Sequence, residues 1–152
     1  MKARLRSVIL LILAVPALMV LGTPRSAPAK SGCSNATLTG DYGIRATGMV
    51  MSGPSAGPIG IVGVITFDGD GQFTASLTQR VNGATGPTTL SKVPYAGTYT
   101  VNPDCTVEDV WHNLSNGTSS THESAIVDHG RGFFTINTSA GPPIVTSEAR
   151  KQ

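Results

Sequence analysis

The sequence predicts an all-β chain: a single antiparallel β-barrel of about eight strands, with a β-sandwich as the alternative. Three observations predict it. Beyond the N-terminal leader the chain is rich in Gly, Thr, Ser, Asn and Val and poor in Leu, Glu and Lys. The first set suits strands and tight turns, the second suits helices. No segment sustains the helical period of roughly 3.6 residues, and short apolar or alternating runs recur between turn signals.

The leader comes first. Lys2, Arg4 and Arg6 make a basic start, Val8 to Leu21 is apolar apart from Pro16, and Ala27-Pro28-Ala29 offers a small-residue cleavage site. This order is that of a secretory signal peptide. It predicts a signal segment over residues 1–29 and one domain over 30–152, secreted or periplasmic. The apolar run is about fourteen residues, short of the roughly 20 a spanning helix needs. Cys33 follows the polar Lys30-Ser31-Gly32, which argues against a lipidated cysteine. A soluble chain with no membrane contact after cleavage is expected.

The strands follow. Tyr42 to Met51 is the first and Ile59 to Phe67 the second, with a Gly- and Pro-rich loop between them. Gln72 to Val81 is the third; Asp68-Gly69-Asp70-Gly71 makes the hairpin, because the turn needs positive φ. Asn82-Gly83 opens the next turn. Thr88 to Val93 is a fourth strand, ended by Pro94, and Gly97 to Val101 a fifth. Asn102-Pro103-Asp104 turns the chain into Cys105 to Asn113. Ser115-Asn116-Gly117 leads to Thr121 to Val127, then Asp128-His129-Gly130 to Phe133 to Asn137. Gly141-Pro142-Pro143 precedes the last strand, Ile144 to Ala149. A closed barrel would leave none of these strands an exposed edge.

Without residues 1–29 the chain keeps seven Lys and Arg against nine Asp and Glu, so the basic balance belongs to the leader. No basic cluster remains, and no nucleic-acid partner is expected. Cys33 and Cys105 lack C-x-x-C spacing, and two thiols in an exported chain make one disulfide.

Three segments carry a resemblance. They are Cys33 to Gly43, Thr66 to Phe73, and Gly97 to Thr106, each built from turns, aromatics and a cysteine or Asp-Gly pair. They resemble a group of small exported bacterial β-rich proteins. The overall pattern is similar to eight-stranded cups, the lipocalin-like and allene-oxide-cyclase-like barrels. The resemblance implies a fold and no activity.

His112, His122, Glu123, Asp128 and His129 form the densest set of chemistry-bearing side chains. A turn centred near Gly117 would set His112 opposite His122, within reach of one Zn²⁺ or Cu²⁺. A one-residue slip would put them on opposite faces. Only His129 and the nearby carboxylates such as Asp128 could complete a ligand set, and they lie beyond a turn, so no metal and no cofactor are expected. Asp68 and Asp70 resemble the start of a calcium loop, but Gln79 stands where the twelfth-position ligand belongs, and a plain hairpin is expected. No G-x-S-x-G elbow and no G-x-x-x-x-G-K phosphate loop occurs. Asn35, Asn113, Asn116 and Asn137 each open an N-x-S/T triplet, an acceptor in a eukaryotic secretory pathway.

The sequence thus supports three functions. The first is a barrel binding a small apolar ligand, lined by Ile44, Val62, Val64, Phe73, Tyr99, Trp111 and Phe133, with His112 and His122 near it. The second is a surface interaction protein without a pocket. The third is a small cyclase- or isomerase-like enzyme using His112, His122 or Glu123 as acid or base; the missing motifs favour a non-enzymatic role. A cavity containing polar groups separates the first and third from the second.

Overall fold

The computed structural model describes residues 32–141 and 143–152. The proposed leader and its cleavage site lie outside them. Eight strands follow one another: β1 (Thr39–Val50), β2 (Gly57–Asp68), β3 (Gln72–Gly83), β4 (Gly86–Val101), β5 (Thr106–Asn113), β6 (Ser119–Val127), β7 (Gly132–Asn137) and β8 (Ile144–Lys151). Each pairs antiparallel with its neighbour in sequence, and β8 pairs with β1 to close the barrel. The fold class is the predicted one.

Alternation sets which side chains point inward. On β2, Ile59, Ile65 and Phe67 are buried, and on β3 so are Phe73, Ala75 and Leu77. Thr66 and Thr74, between them, are exposed. Asp68 ends this hairpin. Its Oδ1 accepts the backbone N–H groups of Asp70, Gly71 and Gln72 at 2.8, 3.0 and 2.9 Å. The bond from Gln72, with that from Asp70, holds the carboxyl below the usual carboxylate range. Asp68 therefore serves the turn, as a plain hairpin requires.

The predicted fourth and fifth strands are one strand, β4, and this is a correction. Tyr95 pairs with Asn113, so Pro94 lies opposite Leu114, just past the end of β5. The missing N–H therefore breaks no ladder bond; Leu114 N–H still donates to the Pro94 carbonyl at 3.0 Å. Irregularity is absorbed instead by a bulge, where the register steps from Leu77↔Val93 to Gln79↔Leu90 and Lys92 takes a φ of 54°.

One end of the barrel is plugged. Tyr42, Phe67, Phe73, Tyr99 and Phe133 pack there with Leu38, which comes from the segment before β1. Phe67 is the hub, with ring centroids 5.0 to 5.7 Å from Tyr42, Phe73, Tyr99 and Phe133. Backbone groups satisfy the buried hydroxyls. Tyr42 donates to the Gly130 carbonyl, and Tyr99 accepts the Gly69 N–H at 3.0 Å while facing the Leu38 carbonyl at 3.1 Å. Burial raises both phenols above the usual tyrosine range. Asn35 Oδ1 takes the Val101 N–H at 2.8 Å, and the Cys33–Cys105 disulfide fastens the same segment to the start of β5.

Candidate functional site

The opposite end is open. Above the aromatic plug lies a cavity of about 450 Å³, inside the range of ligand pockets, roughly 300–1,000 Å³. Its floor is Phe67, Phe73 and Phe133; Asn116, Thr118 and Ser139 stand at its mouth.

The two walls differ. β1 to β3 present Ile44, Ala46, Ile59, Ile61 and Leu77, with Gln79 their one polar side chain. β5 to β8 present Asp109, His122, Thr135, Asn137 and Ser147 among the apolar Trp111, Phe133 and Val145. The strands place them by phase. On β5 the inward set is Val107, Asp109, Trp111 and Asn113, so one carboxylate sits in line with two large apolar residues. On β6 the inward His122 lies directly opposite Asp109.

Asp109 and His122 are joined. Asp109 Oδ1 and His122 Nδ1 are 2.9 Å apart, with side chains only 10% and 16% exposed. His122 Nε2 lies 3.2 Å from Asn137 Nδ2. Asn137 Oδ1 takes the Ser139 N–H at 3.2 Å, which turns the amide nitrogen towards the ring. These partners fit a neutral imidazole that donates from Nδ1 and accepts at Nε2. Asp109 Oδ2 meets no donor among the described residues.

The aromatic cluster around Trp111 comes from β3, β4 and β5. Trp111 packs on Phe73 at 4.6 Å between centroids and on Tyr95 at 5.7 Å, with the His122 ring at 5.6 Å. Gly97 makes this possible. It lies between Phe73 and Trp111 in register, and a Cβ there would stand 2.4 Å from the Phe73 ring. The Trp111 N–H is buried without a hydrogen-bond acceptor. Tyr95 takes the side-chain amides of Gln79 and Asn113 on its hydroxyl.

Of the sequence-predicted residues, Ile44, Phe73, Trp111, Phe133 and His122 line this cavity. Val62 and Val64 do not; they face outward, Val62 being 57% exposed. Tyr99 points inward but belongs to the plug. His112 is exposed on the outer face, 2.8 Å from Ser119, so the proposed His112–His122 pairing does not occur. His129 and Asp128 lie in the turn beside the plugged end, and Glu123 faces outward. Asn113 and Asn137 of the glycan triplets point into the barrel.

Asp109, Asn137, Tyr95 and Gln79 went unseen in the sequence. A signal existed for Asp109: it shares the phase of Val107 and Trp111, where a filled core would carry an apolar residue.

No family model matches the chain, and no curated protein matches it. The chain is similar to a solved structure described as a redesigned β-barrel, at 12% identity and a TM-score of 0.52. The match covers 84% of this chain and 99% of that one. At that identity the likeness speaks for the barrel fold alone.

Proposed function

We propose that the protein binds a small, largely apolar molecule inside its barrel. The observation that carries this reading is the two-sided cavity. A barrel serving only as a scaffold would fill its interior with side chains. Here the inward positions of β1 to β3, apolar except for Gln79, lie across open space from Asp109, His122 and Asn137. The apolar wall would take the body of the ligand and the polar wall would orient it. The reading places the protein outside the cytoplasm, and the disulfide is compatible with that setting.

Trp111, the only tryptophan of the chain, supplies the test. Titration with the apolar dye N-phenyl-1-naphthylamine is expected to give saturable one-to-one binding with energy transfer from Trp111. Filling the cavity by Leu77→Trp should abolish it, and Val62→Trp on the outer face should not. Non-saturable partition, or equal binding by both variants, would count against an interior site.

The Asp109–His122 pair favours one other reading, a barrel enzyme of cyclase or isomerase type with His122 as a base oriented by Asp109. Among the described residues Nε2 meets Asn137, so no nucleophile is set beside it. An unchanged ligand recovered after incubation speaks for binding alone.

A further inference from the structure

The polar wall holds a carboxylate that the protein itself leaves half-partnered. Asp109 is nine-tenths buried, and its one hydrogen bond comes from the His122 imidazole. Asn137 Nδ2 lies 3.2 Å from Nε2 of that ring, and Asn137 Oδ1 takes the Ser139 N–H, so the far side of the imidazole is occupied by the protein itself. Among the described lining residues there is no Lys or Arg. A carboxylate nine-tenths buried in a cavity whose described lining holds no Lys or Arg favours a partner that brings the charge.

Aromatic surface lies alongside. Trp111 follows Asp109 by two residues on the same face of β5, about 7 Å along the strand, and Tyr95 packs on its ring. Cations are held well against such faces. From this geometry we infer that the cavity's ligand is a protonated amine on an apolar body, with Asp109 Oδ2 as its counter-ion. The inference rests on the interior site proposed above and names the ligand's polar group. The ammonium sits between Asp109 and the Trp111 ring, and the hydrocarbon lies on Ile59, Ile61 and Leu77. A ligand carboxylate would face Asp109 with no Lys or Arg among the described lining residues to meet it.

Calorimetric titration of the protein at neutral pH with 1-adamantylamine, 1-adamantanol and adamantane-1-carboxylate tests this on one hydrocarbon cage. The amine should bind at least about tenfold more tightly than the alcohol, and the carboxylate at least about tenfold more weakly, the scale of a hydrogen bond to a charged group. Asp109→Asn should bring the amine down to the alcohol while leaving the alcohol in place. An amine that binds no better than the alcohol, or one unaffected by Asp109→Asn, would overturn the inference and leave the interior site standing. If none of the three binds, the interior site fails as well. The amine-to-alcohol ratio needs no variant, so a poorly folded Asp109→Asn does not remove the test.

Discussion

Phe67→Ala is expected to destabilise the barrel by about 3–5 kcal/mol, the range for truncating a buried aromatic. Phe67 touches four other rings of the plug and belongs to both its layers, the β1–β2 side through Tyr42 and the β3–β4 side through Phe73 and Tyr99. Two of the four surrounding rings are fixed by bonds of their own, Tyr42 to Gly130 and Tyr99 to Gly69 and Leu38, which limits collapse into the space. Two of the four contacts it would lose are edge-on pairs with tyrosines, which add to the loss of buried area. Phe134 is the control. It sits next in sequence to a plug residue but on the outer face, 49% exposed, and Phe134→Ala should stay within about 0.5 kcal/mol. Urea unfolding of the two variants checks this, and a Phe67→Ala loss below about 1 kcal/mol would contradict the description of the plug.

The second large effect belongs to the disulfide. Cys33 and Cys105 are 72 residues apart, and closing a loop of that size restricts the unfolded chain by roughly 4 kcal/mol on the entropy model. The bridge also secures the segment that covers the plugged end, with Leu38 in the core and Asn35 on Val101. Replacing both cysteines with serine should lower stability by about 3–4 kcal/mol, a large part of the 5–15 kcal/mol typical of a domain. The midpoint of urea unfolding, oxidised against doubly substituted, measures it. Equal midpoints would mean that the segment docks without its covalent tie.

The barrel was legible in the sequence because its cues are local. Asp68-Gly69 marks a turn by its own chemistry, and alternation from Gln72 to Leu77 marks a strand with one buried face. The site was less legible because it depends on register between strands. Gly117 looks like the centre of the β5–β6 turn. In the structure the loop is shorter, 114–118, with Gly117 near its end in left-handed conformation at a φ of 73°, and His112 pairs with Ser119. The true partner of His112 is thus three residues from His122, an odd number, so one histidine faces solvent and the other the cavity. β2 was ambiguous for another reason. Ile61, Val62, Val64 and Ile65 are apolar on both faces, and only closure of the barrel decides that Ile61 and Ile65 point in. Asn137 is invisible locally, since its role comes from β7 lying beside His122.

The central claim is that the interior of this barrel is a ligand site, and the Trp111 indole reports on it most directly. In a ¹⁵N–¹H correlation spectrum the single indole N–H gives one resonance, from a ring that touches Phe73, Tyr95 and His122. Titration with 1-adamantylamine should shift that resonance saturably, together with the backbone amides of Asp109 and His122, while those of Val62 and Phe134 on the outer face stay in place. An indole signal that does not move while the outer-face amides do would put the ligand on the surface and contradict an interior site.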